Sequence, residues 1–180
     1  MAQDDEGWEF RRTMPLDVVG PGGAVFPGEI RLVARMPARL ASPKDARDVP
    51  DPVIERVRNL YVRWADMTLA FAGREVTVRD RRDREALLEI RRRVEPDGFR
   101  LRCYGASLNV FARGSILRWL PSVQPKARAL REALRTNRCT MCDLRLEIGR
   151  VPSSEDCVEI LDAGPDVIPA TIDEQHRFFQ

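Results

Sequence analysis

Apolar and polar residues alternate from Glu29 to Met36, which puts Ile30, Leu32 and Ala34 on one side and Arg31, Val33 and Arg35 on the other, the period of a half-buried strand. Arg74 to Arg79 repeats this period more briefly around Val76 and Val78. Between these two runs the spacing lengthens. Val53, Val57, Leu60, Tyr61, Trp64, Met67 and Phe71 recur at intervals of three and four, predicting a long helix with Asp51 as its cap, Pro52 at its first position and Gly73 at its end. A second helix is predicted over Asp83 to Val94, with Leu87, Ile90 and Val94 inward and Arg84, Arg91 and Arg92 toward water.

Further along, Phe99 to Tyr104 alternates as a strand with Phe99, Leu101 and Cys103 on one face and Arg100, Arg102 and Tyr104 on the other. The stretch YGASLNVFARG, with a glycine near each end, reads as a tight turn into another strand. Short helices are expected from Ser115 toward Leu120, where Pro121 stops the first, and from Lys126 to Arg135. Strands are expected at Leu144 to Ile148 and Val158 to Leu161. Thr171 and Glu174 form a capping box that opens a C-terminal helix. Pro and Gly interrupt Thr13 to Gly28, so residues 1–28 read as an irregular arm, and Ala41 to Pro52 as a surface connection.

Strands and helices mix without strict alternation, which predicts an α+β fold: a single domain over 29–180, with a mixed or antiparallel sheet packed against about three to five helices. A chain of 180 residues is long enough to bury a core without staples. Its first residues carry Asp4, Asp5 and Glu6 where a secretory signal would be positive and then apolar, and no uncharged run is long enough to span a bilayer, so a cytoplasmic protein is expected.

Charge is unevenly placed. Residues 1–50, 51–138 and 139–180 carry net charges of −1, +9 and −6. Almost all the positive charge is arginine, with Lys44 and Lys126 the exceptions, a bias that a GC-rich bacterial genome produces without any functional demand. A basic middle and an acidic end suit either contact with a charged partner or mutual neutralisation.

Candidate chemistry is sparse. Cys139-Thr-Met-Cys142 is the sharpest local motif, since two thiolates two residues apart can grip one zinc ion from a single turn, with Cys103 and Cys157 as further ligand candidates. Its place after a helix and before a strand resembles a zinc-knuckle turn more than a redox site; buried thiols are the simpler reading. His176 is the one histidine and lies near the C-terminus, so hydrolytic or acid–base catalysis is poorly supported, and a Cys103–His176 dyad exists on paper only. Asp143, Glu155, Asp156, Glu159 and Asp162 read as a diffuse acidic surface rather than a metal or glycosidase signature. No glycine-rich phosphate loop follows a strand. Ser107, Asn109 and Ser115 are of the type that lines a small pocket, or equally a turn and a cap.

With no evident catalytic constellation, the sequence points to a non-enzymatic protein-binding module, of the kind by which immunity or inhibitor proteins engage a charged partner. The alternative is nucleic-acid binding through the 79–102 region, with Arg82, Arg84, Arg91, Arg92, Arg100 and Arg102 on phosphates, Tyr104 stacked on a base, and a cysteine-based zinc site in support. Against it, Asp80, Asp83, Glu85, Glu89 and Glu95 interleave with these arginines, the pattern of a solvated, salt-bridged helix.

Overall fold

The long first helix predicted from residue spacing gives way to strand in the computed structural model, which describes residues 8–36, 64–80, 82–111, 142–145 and 156–179. Trp64–Phe71 is β3, and Arg74–Asp80 follows it as β4. Ala65, Met67, Leu69 and Phe71 are all buried, a period of two that the three-and-four spacing overlooked by counting Met67 and Phe71 and passing over Ala65 and Leu69. The turn decides between the two patterns. Ala72 and Gly73 both have positive φ, 48° and 74°, which closes a two-residue hairpin and is incompatible with a helix running to its C-cap. The remainder of that predicted helix, residues 52–63, lies outside the described residues, as do the helices expected at 115–120 and 126–135.

The chain divides into two compact units, Met1–Phe99 and Arg100–Gln180. In the first, β1 (Trp8–Val19), β2 (Val25–Met36), β3 and β4 form an antiparallel meander in the order β4-β3-β2-β1. The proline- and glycine-rich stretch Thr13–Gly28, expected to be irregular, is therefore strand on both sides of a short 3-10 turn at Pro21–Gly23. Register aligns cross-strand rows such as Met14–Ile30–Leu69–Val76 on the inner face and Thr13–Arg31–Thr68–Thr77 on the outer face. The inner rows are covered by α1 (Asp83–Val94), whose Leu87, Ile90 and Val94 are buried as its spacing predicts, as is Ala86. Phe99 stands edge-on to Phe71, ring centres 5.1 Å apart, with the Arg74 guanidinium 4.8 Å above its ring.

The second unit holds β5 (Arg100–Leu101), a 3-10 turn at Tyr104–Ala106, β6 (Val110–Phe111), β7 (Cys142–Arg145), β8 (Cys157–Glu159) and α2 (Ile172–Phe179). Strands β6, β7 and β8 pair antiparallel in that order. Rather than one strand to Tyr104, the chain leaves β5 after Leu101 and turns, which places Cys103 in the interior. At α2 the predicted capping box is complete: the Thr171 N–H donates to Glu174 Oε2 at 2.7 Å and the Glu174 N–H to Thr171 Oγ1 at 3.2 Å.

The α+β expectation is thus corrected. Strand dominates the described residues, which hold two short helices rather than a sheet packed against three to five. Tight hairpin turns bring strands together where helical spacing was read. No helix among the described residues is long and apolar enough to cross a membrane.

Candidate functional site

In the basic stretch Arg79, Arg82, Arg91, Arg92, Arg93 and Arg100 each meet a carboxylate. Arg79 grips Asp66 bidentately, at 2.7 and 2.8 Å, and this bond lowers the Asp66 pKa below the usual carboxylate value. Arg82 lies 3.4 Å from Glu85, and Arg92 and Arg93 both reach Glu89, at 3.4 and 3.2 Å. Arg91, expected to face water, is fully buried and meets Glu95 at 2.6 Å. Its place one turn before Glu95 on the inner face of α1 makes it core, not surface. Burial also pushes the Arg84 pKa down from the usual arginine value. In the second unit Arg100 donates to Glu174 Oε1 at 2.7 Å, which ties it to the cap of α2, and Arg102 is exposed.

Tyr104, the expected stacking platform, has its hydroxyl committed. It donates to Asp166 Oδ1 at 2.7 Å, and the other oxygen of Asp166 accepts from Arg145. The hydrogen bond to Asp166 raises the Tyr104 pKa, and the same bond lowers that of Asp166. Gly164 lies so close to this hydroxyl that a Cβ there would overlap Tyr104 Oη and crowd Asp166 Oδ1 unless those side chains moved.

These contacts fix a loop, residues 162–170, along the segment 104–110. Tyr104 N–H donates to Asp162 O at 2.9 Å, Leu108 N–H to Ile168 O at 2.9 Å, and Ala170 N–H to Ala106 O at 3.0 Å. Ser107 Oγ accepts from the Ile168 N–H and bonds Asn109 Oδ1, both at 3.1 Å, and the buried Gln175 amide donates to the carbonyls of Ser107 and Val110. Ser107 and Asn109 therefore hold the loop in place; Ser115 lies outside the described residues.

The loop shows both an apolar side chain and carboxylates to solvent. Ile168 is 51% exposed, one of two large apolar side chains so exposed among the described residues, and Asp162 and Asp166 are exposed on the same loop. Between Asp156 and Phe179 the sequence carries six carboxylates against the single arginine Arg177. Two of the acidic residues read as diffuse surface, Asp143 and Asp156, are instead buried, at 5% and 2% exposure.

The cysteines do not assemble a site among the described residues, where no grouping of three His, Cys, Asp or Glu side chains is placed to hold a metal. Cys139 lies outside them. Cys142 opens β7 opposite Glu159, Cys157 pairs with Leu144, and Cys103 is buried beside the Tyr104 turn. His176 is exposed on α2 whereas Cys103 has no exposure, so the dyad has no shared solvent-facing position. No protein-family model matches this chain, and no curated protein matches it.

Proposed function

We propose that the protein is a non-enzymatic binding module for another protein, of the inhibitor or immunity type, and that it engages a basic partner through the acidic loop 162–170. The observation that carries this reading is Ile168: a half-exposed apolar side chain on a loop that also exposes Asp162 and Asp166 and is already held by backbone hydrogen bonds. Such a loop loses little conformational entropy on binding, which favours affinity, and a buried apolar anchor with a charged rim is the usual anatomy of an interface. The surrounding negative charge would speed encounter with a positive surface and reject acidic ones.

The paired arginines of 79–102 weigh against the nucleic-acid alternative, because phosphate contacts would have to displace carboxylates already in place. The test is affinity capture from the protein's own cells with the wild-type chain, Ile168→Asp and Asp162→Arg. Partner recovery is expected to fall about tenfold or more with Ile168→Asp, consistent with loss of a central anchor, and to weaken with Asp162→Arg. Equal recovery by all three chains, or recovery of nucleic acid instead of protein, would remove the reading.

A further inference from the structure

The loop 162–170 runs between two fixed ends. At its start Leu161 is buried and the Asp162 N–H donates to Glu159 O at 3.2 Å; at its end Ala170 is buried and the Thr171–Glu174 box opens α2. Between these ends only Val167 is buried. Gly164 and Pro169 are half-buried, and Asp162, Ala163, Pro165, Asp166 and Ile168 are exposed. A segment with so little buried apolar surface depends on hydrogen bonds for its place, and Pro165 and Pro169 bring no N–H to them. Along the seam with 104–110 the Ile168 N–H donates to Ser107 Oγ and the Ile168 carbonyl accepts from the Leu108 N–H. Both main-chain groups of Ile168 are thus held, and with Val167 and Ala170 inward its side chain is turned out.

One contact differs in kind from the rest. Asp166 joins the loop to two other segments at once, accepting from the Tyr104 hydroxyl on Oδ1 at 2.7 Å and from Arg145 of β7 on Oδ2. Bonds to an ionised group are roughly twice as strong as neutral ones. Gly164 lies against the same hydroxyl, so this contact also fixes the chain two residues before Asp166. We propose that 162–170 is a strap that opens from 104–110 as one piece while the rest of the second unit stays folded, and that Tyr104–Asp166–Arg145 is its latch. Opening breaks the seam but draws only Val167, of the side chains inside the strap, out of the interior, far less apolar surface than unfolding the unit would expose. The closed strap holds Ile168 outward; the open strap releases both its main-chain groups and no longer fixes which way its side chain faces. Tyr104 and Arg145 are therefore positioning residues for Ile168, acting through Asp166. The regulatory consequence rests on the reading of Ile168 as the binding anchor: apparent affinity scales with the closed fraction, which the latch sets.

The experiment is residue-resolved amide hydrogen exchange on the full chain, at several low urea concentrations, with Tyr104→Phe, Asp166→Ala, their double variant and Leu144→Val beside it. In the wild-type chain the amides of Leu108, Ile168 and Ala170 are expected to exchange together, with a much weaker dependence on urea than the slowest amides of the second unit. Tyr104→Phe is expected to lower their protection about tenfold and Asp166→Ala further. The double variant should match Asp166→Ala alone, because the Tyr104 hydroxyl acts through that carboxylate. Leu144 is fully buried in β7, away from the seam, so Leu144→Val is expected to lower protection of the slowest amides about fivefold and leave the seam amides unchanged. Seam amides that share the urea dependence of the slowest ones overturn the proposal. So do seam amides that follow Leu144→Val or ignore Tyr104→Phe. No partner enters this measurement, so the strap and the binding reading can each fail while the other stands.

Discussion

Arg91 shows how much a single side chain changes when its face of a helix is buried. A guanidinium with no exposure is tolerable only with a partner in place, here Glu95 at 2.6 Å. Glu95→Ala is predicted to destabilise the fold by about 3 kcal/mol in urea unfolding, whereas Arg91→Met, which removes the buried charge as well, is predicted to cost much less. Tyr104 and Asp166 make a second residue-scale prediction. The Asp166 pKa is lowered, so its contribution is present above the ordinary carboxylate value and lost as pH falls through the folded one. Glu174, lowered chiefly by the Thr171 N–H, has the same sign. The Tyr104 pKa is raised above its ordinary 10.0, so the neutral phenol's contribution is present below that value and lost as pH rises through the folded one. Melting temperature against pH is predicted to fall at both the acid and the alkaline end, and Tyr104→Phe to flatten the alkaline fall and reduce the acid one.

Among the elements, the β3–β4 turn carries a local strain that can be relieved. Ala72 occupies φ 48°, where an L side chain other than Asn or Asp is disfavoured. Ala72→Asn gives the Asn-Gly turn that such a hairpin prefers and is predicted to raise stability by about 1 kcal/mol, read as a higher denaturant midpoint with unchanged slope. The elements also show what a sequence discloses. Helix α1, strand β4 and the Thr171–Glu174 box were legible because their signals are local: a periodic stripe, a short alternation, and two residues three apart. Strand β3 was not. Apolar residues in Trp64–Phe71 satisfy both periods, and only the hairpin partner resolves them. β1 was hidden by Pro15 and the flanking glycines, residues that argue for irregular structure until a long neighbour such as β2 supplies the pairing.

At the scale of the molecule, the sequence disclosed charge in blocks and the structure redistributes it. Arg79, Arg82, Arg91, Arg92 and Arg93 close onto carboxylates of their own unit, and Arg100 and Arg145 neutralise Glu174 and Asp166 in the second. The loop 162–170 escaped the sequence reading because its anchors, Tyr104 and Ser107, lie roughly 60 residues away along the chain. Ile168 carried no signal at all: an isoleucine between Val167 and Pro169 reads as core, and only the hydrogen-bonded loop turns it outward. The measurement that bears most directly on the account is a native mass spectrum of the protein purified from its own cells, taken beside Ile168→Asp. The account predicts a stoichiometric complex with a basic protein, present for the wild-type chain and lost in the variant; nucleic-acid mass on the chain, or a complex that survives Ile168→Asp intact, would contradict it.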